Sequence, residues 1–364
     1  MTYLGAERAQ AHRQPPIEAV VLVNLGTPDA PTPSALRRYL GDFLSDRRVI
    51  EIPRWLWWLI LNGVILRIRP ARSARAYARI WTEAGSPLRV GSEALTAAVG
   101  ASLAQVRPGT EVHLAMSYGQ PPLRVVLEDL RARGLRRLLL LPLYPQYSGS
   151  TSASVFDAVA SILQTWRWQP ELRVIGDYYR EPGYVEALRD SVLEHWTVHG
   201  RARLLLSFHG IPQRYVNAGD PYFCQSQATA RLLREALGLS PDELFVSFQS
   251  RVGREEWLRP YTDELLQSWA RSGVKRVQVL CPGFAVDCLE TLDEIAREAD
   301  EHFRAAGGER LEYIAALNAR PAHVAMLTQL IVRHCGGWAS AADGAHIVAE
   351  RQAHIAAFDA NSDV

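Results

Sequence analysis

Apolar residues along this chain arrive in two kinds of run. Short stretches dominated by leucine and β-branched residues, at Ala19–Asn24, Val112–Met116, Arg137–Leu143, Arg203–Phe208, Leu244–Ser247 and Lys275–Cys281, predict strands. Between them apolar positions return every three or four residues and predict helices at Ser34–Tyr39, Gly91–Ala104, Leu123–Arg133, Val185–His195, Gln225–Ala236, Pro260–Ala270 and Leu289–Ala305. Strand and helix alternate, the order that gives parallel sheets flanked by helices. The chain therefore reads as α/β, and its 364 residues with 48% hydrophobic content suffice for two such units.

Internal similarity supports a halving. Gly134-Leu-Arg-Arg-Leu-Leu-Leu-Leu-Pro142 parallels Gly273-Val-Lys-Arg-Val-Gln-Val-Leu-Cys-Pro282, and Val23-Asn-Leu-Gly-Thr-Pro28 echoes Ser207-Phe-His-Gly-Ile-Pro212. The second pair each ends an apolar strand in a turn where glycine frees the backbone and proline stops the element. We expect two Rossmann-like halves, residues 17–165 and 166–335, with tails at 1–16 and 336–364. Ligands of such folds sit beyond the carboxyl ends of the strands, so these turns should line a cleft between the halves. No G-x-G-x-x-G follows the first strand and no G-x-x-x-x-G-K-[ST] occurs, which removes the usual glycine cradles for a dinucleotide or for ATP.

Forty basic side chains against 39 acidic ones leave a net charge of +1, with no field to hold a nucleic acid. Cys224, Cys281, Cys288 and Cys335 form no C-x-x-C pair, which argues against a zinc ribbon, a cluster or a disulfide framework and fits a reducing, cytoplasmic setting. The first 16 residues are polar and carry no secretory pattern. One segment departs from this plain background. Trp55–Leu66 is almost wholly apolar, holds three of the ten tryptophans and is flanked by Arg54, Arg67 and Arg69. At 12 residues it falls short of the roughly 20 that cross a bilayer as a helix. It can lie on a membrane or form a greasy lip over a flat ligand, and a buried core helix is the alternative.

Two sets of polar groups fall at strand ends. His209 follows the apolar run Leu204–Phe208, where an imidazole can face the cleft as a base; a histidine merely hydrogen-bonded at a strand terminus is the other reading. After Cys281-Pro-Gly-Phe, Glu290, Glu294 and Glu298 recur every fourth residue and should share one helical face. Carboxylates stacked in this way favour a passage for protons or a hydrated cation; a solvated stripe paired with residues such as Arg297 is the alternative.

Taken jointly, Ser207-Phe-His-Gly-Ile-Pro212, Gly219-Asp-Pro-Tyr222, Phe248-Gln-Ser-Arg-Val-Gly253 with Trp257, and Pro282-Gly-Phe-Ala-Val-Asp-Cys-Leu-Glu-Thr-Leu292 resemble the signature blocks of ferrochelatases. Val23–Pro28 and Tyr144-Pro-Gln-Tyr-Ser148 resemble two more, and the likeness runs from about Val20 to about Met326 in the expected order. The resemblance implies insertion of ferrous iron into protoporphyrin IX to give protohaem, without ATP. It implies His209 and Glu290 as the catalytic pair and metal contacts, and Glu294 and Glu298 as a proton or metal path. Leu25, Tyr118, Trp257 and Phe284 are the implied porphyrin contacts, with residues 54–69 as a hydrophobic lip that can touch the inner membrane peripherally.

That chemistry suits these residue types. Two pyrrole protons must leave a planar apolar macrocycle while the cation sheds water, which calls for a base titrating near neutrality and for binding energy spent on bending the ring. Transient imidazole and carboxylate contacts fit ferrous iron in passage better than a closed thiolate cage. Two departures from the family pattern stand out. Cys288 occupies a position where some members carry histidine, and Gly149 with a lone Cys335 replaces the cysteines of an iron–sulfur cluster, so no tightly bound cofactor is expected. A cobalt or nickel chelatase of another tetrapyrrole, or a carrier of haem without catalysis, are the competing functions. The apolar lip favours protoporphyrin, with its few carboxylates, over the first.

Overall fold

In the computed structural model the apolar runs become the strands of two parallel sheets, each of four strands. The structure describes residues 3–4, 16–253, 255–338, 349–350 and 352–357; most of both expected tails lies outside these described residues. The first sheet has the order β2-β1-β3-β4, with β1 at Ile17–Thr27, β2 at Thr110–Gly119, β3 at Leu135–Pro142 and β4 at Glu171–Val174. The second repeats it as β6-β5-β7-β8, with β5 at Arg203–His209, β6 at Leu244–Gln249, β7 at Arg276–Leu280 and β8 at Arg310–Ile314. In both, the chain leaves the first strand to one side and crosses over it to the other, so β1 and β5 stand at the switch points where such folds bind ligands. The copies agree in detail: Met116 N donates to Pro121 O beyond β2, and Phe248 N donates to Pro260 O beyond β6.

The expected boundary at 165/166 does not match the sheets. β4 lies beyond it yet pairs with β3 in the first sheet, Arg137 opposite Glu171 and Leu140 opposite Val174. β4 and β8 were not predicted, and both are edge strands, where one neighbour and partial exposure remove the need for a long apolar run. The central strands carry the apolar signal: Leu204, Leu205, Leu206 and Phe208 of β5 are fully buried, as are Ala19 to Val23 of β1.

A steric constraint fixes how β1 meets β2. Gly26 has φ +104° and faces Tyr118 in register; a Cβ there would lie 1.5 Å from the Tyr118 carbonyl oxygen. Gly119, opposite Thr27, meets the same constraint, its Cβ falling 2.4 Å from the Thr27 carbonyl oxygen. Only glycine gives this approach and this φ together. Gly26→Ala should cost about 3 kcal/mol or more through strain and forced separation of the strands, read as a lowered midpoint in urea unfolding; an unchanged midpoint would mean the strand ends have slack.

Candidate active site

His209 closes β5 half-buried, and its ring is anchored at one nitrogen: Nδ1 lies 2.7 Å from the Gly210 carbonyl oxygen. A carbonyl only accepts, so Nδ1 carries the proton of the neutral ring and Nε2 keeps a free lone pair. Trp257 stands beside it, ring centroids 6.4 Å apart. The absence of a side chain at Gly210 makes room for this ring, since a Cβ would come within 3.2 Å of Trp257 Cε3 and 3.0 Å of Gln249 O.

Glu290 opens the acidic helix, and that helix is not the α-helix expected over Leu289–Ala305. Glu290–Ala299 is a π-helix of ten residues, followed by α-helix over Asp300–Ala305. Side-chain periodicity does not distinguish the two forms, whereas π segments gather at functional sites and are seldom longer than a turn. The loop leading into it is pinned by Asp287, whose carboxylate accepts from Thr291 Oγ1, Tyr313 Oη, Ala316 N and Asn318 Nδ2. Gln249, in β6, donates from Nε2 to the Glu290 carbonyl at 2.8 Å. This glutamine lay within a quoted motif and drew no assignment from sequence.

The acidic row has unequal members. Burial, the charge of Glu290 and that of Glu298 push Glu294 up to about 7, against a bond from Ser250 Oγ. Asp293, one residue earlier, goes the other way: burial raises its pKa, but Arg79 Nη2 at 2.6 Å and Arg297 Nε at 2.6 Å outweigh burial and hold it below the usual carboxylate range. Glu298 is tied to Arg297 at 2.7 Å and to Arg79 at 3.5 Å. The solvated-stripe reading thus describes the outer end of the row, and Glu294, half-buried and without a close ion pair, the inner part. Arg79, unnoticed in the sequence, joins the lip's helix to the acidic one.

The lip is a continuous helical stretch, α over Arg54–Ile60, π over Leu61–Ile65 and α over Leu66–Ile80. Trp57 and Leu61 turn inward, while Trp55, Trp58 and Ile68 are 71%, 63% and 70% exposed. Its inner side joins one apolar cluster with Leu25, Tyr39, Tyr77, Tyr118 and Leu289, so residues expected to touch porphyrin in the first half abut the residue before Glu290. Tyr39 and Tyr77 are buried near Glu290, and burial together with neighbouring charge keeps both phenols protonated. Tyr118 spends its hydroxyl on Asp46 at 2.7 Å, leaving the ring as the face it can offer. Phe284 packs against both the apolar cluster that spans the two halves and the one confined to the second half. A cavity of about 660 Å³ lined by Cys224, Arg231, Arg234 and Phe245 lies elsewhere, and no candidate residue lines it.

The ferrochelatase family model matches residues 17–335. The chain belongs to the ferrochelatase family. It is 56% identical to the ferrochelatase of Nitrosococcus oceani over 88% of each chain, and 52% identical to that of Thioalkalivibrio sulfidiphilus over 94% of this chain and 93% of the relative. Among solved structures, SirB from Bacillus subtilis with Fe3+ aligns at a TM-score of 0.50 with 10% identity, over 88% of this chain and 96% of that one, a likeness of fold alone. The two-halved α/β architecture and the enzyme class read from the sequence are both borne out.

Because Glu294 holds its proton to about pH 7 when folded against a reference value of 4.5, its contribution to stability is complete below about pH 4.5 and is lost as pH rises to about 7. Glu294→Gln should match wild type at pH 5 and exceed it by about 1–3 kcal/mol at pH 8, measured by denaturant unfolding at both pH values. Equal differences at the two would contradict a raised carboxyl.

Proposed function

We propose that this ferrochelatase metallates protoporphyrin IX with ferrous iron, without ATP, and that His209 Nε2 takes the pyrrole protons. The observation that carries this reading is the anchored imidazole: Nδ1 is committed to Gly210 O, which leaves a single basic nitrogen at the end of a switch-point strand. In this reading Glu290 is its carboxylate partner, and the two together make the transient contacts to iron. Glu294, poised near neutrality, accepts the proton next. Glu298, already engaged by Arg297 and Arg79, marks the outer end, where guanidinium groups favour protons leaving over a cation entering. Leu25, Tyr118, Trp257 and Phe284 hold the apolar ring in bent form. Ferrous iron is the substrate, and no resident cofactor enters the reaction.

Pyrrole N–H is a weak acid, so the base alone does not suffice and the ring must be bound strained. Anaerobic metallation without ATP, followed in the Soret band, should fall by about 10²–10⁴-fold in His209→Ala and in Glu290→Gln, while both variants still bind porphyrin. Metallation retained in His209→Ala would end the assignment of the base, and porphyrin binding without any metallation by wild type would favour the carrier.

The lip supports a second element of this reading, that the enzyme sits peripherally on the inner membrane. No helix among the described residues is long and apolar enough to cross a membrane. Trp55, Trp58 and Ile68 stand exposed beside Arg54, Arg67 and Arg69, which suits an interfacial anchor on anionic lipid. Wild type should co-sediment with phosphatidylglycerol vesicles and the Trp55→Ser/Trp58→Ser/Ile68→Ser variant should not; wild type left in the supernatant would refute the contact.

A further inference from the structure

We infer that Gln249 is a positioning residue of the metallation reaction, its side-chain amide holding the first turn of the acidic helix at a fixed distance from the strand that carries His209. The inference rests on the roles proposed above for His209 and Glu290. Gln249 lies directly opposite His209 in the pairing of β5 with β6, and its carbonyl takes the Gly210 N–H at 2.9 Å, so its backbone is locked to the base's own turn. Its side chain is buried, 6% exposed, and bonded at both ends.

The polarity of that amide is forced. The Glu290 carbonyl only accepts, so Nε2 must face it, at 2.8 Å. Oε1 then accepts the Ser207 hydroxyl at 2.7 Å and lies 3.6 Å from the Cys281 thiol. Ser207 has one hydroxyl proton and has given it away, so its 2.9 Å contact with Thr262 Oγ1 must be received from Thr262. By the same reasoning Thr262 receives the Ser247 hydroxyl at 2.8 Å. The result is a directed chain from Ser247 through Thr262, Ser207 and Gln249 to Glu290, and its four side chains are all buried. A fully satisfied buried chain of this kind rigidifies what it joins. Here it joins β5, β6 and the helix Thr262–Arg271 to the acidic helix.

Only glutamine meets these demands. Glutamate would set an oxygen against the Glu290 carbonyl, asparagine is a methylene short, and methionine fills the space with no hydrogen bond at either end. A side chain inserted at a helix carbonyl is also a known cause of local departure from the α ladder, and the π segment begins at Glu290.

The test is steady-state and single-turnover metallation by Gln249→Met and Gln249→Glu, alone and combined with Glu290→Gln. Displacing a catalytic group by about 1 Å can cost about 10²-fold, so we expect kcat to fall by that order with KM for protoporphyrin moving less than about threefold. Adding Gln249→Met to Glu290→Gln should slow residual turnover by far less than Gln249→Met slows wild type, because a residue acting mainly through Glu290 then keeps only its side-chain contact with Glu294. Multiplying losses in the double variant, or an unchanged kcat in folded single variants, would overturn the inference. Should Gln249→Met not fold, Gln249→Glu keeps the shape and the bond from Ser207, and the same two criteria apply to it. The parent reading fails separately, on His209→Ala and Glu290→Gln with Gln249 intact.

Discussion

The carboxylate of Asp220 sets the spacing of the two halves. Its Oδ2 accepts Ser148 Oγ at 2.9 Å and Gly149 N at 2.7 Å from the first half, while Oδ1 accepts Tyr222 N of its own at 3.0 Å. Beside it Gln225 Oε1 takes the Tyr147 N–H and Thr229 Oγ1 takes the Gln146 amide. Charge-assisted bonds to backbone N–H groups tolerate little displacement. The proposed reaction, with His209 from one half working under Leu25 and Tyr118 from the other, needs such a joint. Two of the signature blocks, Tyr144–Ser148 and Gly219–Tyr222, thereby acquire a role that is mechanical and not chemical.

The strand ends that the joint aligns were largely legible in the sequence. β1, β3, β5 and β7 are the inner strands and therefore read as mostly apolar runs, interrupted only by single polar residues such as Ser207 and Gln278 or by arginines at the strand starts. β4 and β8 carry exposed or alternating positions because they are edges, and the missed β4 is what displaced the expected boundary between halves. His209 stood out as an imidazole at a strand end, and Glu290 as the first carboxylate of a row at a helix start. Gln249 did not, because a glutamine at the end of an apolar strand has no pattern of its own; its importance lies in what Ser207 and Glu290 do to it across gaps of 42 and 41 residues. The π form of the acidic helix was hidden for a related reason, since side-chain periodicity does not mark it.

Asp293 and Glu294 show how neighbours on one helix are driven apart. Both lose water on folding, which raises either carboxyl. Asp293 turns toward Arg79 and Arg297 and is held ionised; Glu294 has no ion pair of that kind, and burial with the like charges of Glu290 and Glu298 outweighs a serine hydroxyl, an amide and the more distant charge of Arg69. The ionised residue ties the lip helix to the acidic helix, and the near-neutral one is the member suited to the proposed proton transfer. Separating structural from transferable charge in this way lets a row of carboxylates persist without forcing the helix apart.

The same reasoning bears on Cys288. It is buried, and burial first and the charge of Glu290 second push its thiol well above the ordinary range. A thiolate is the form that binds metal, and this one is disfavoured by both its surroundings and its neighbour. The groups gathered near Glu290 are then carboxyls and protonated phenols, with an imidazole on the adjoining strand end, and none is a soft donor that would retain iron. An enzyme that must release its metal into a macrocycle gains from that choice, because every kilocalorie of affinity for the free ion is added to the barrier for handing it on.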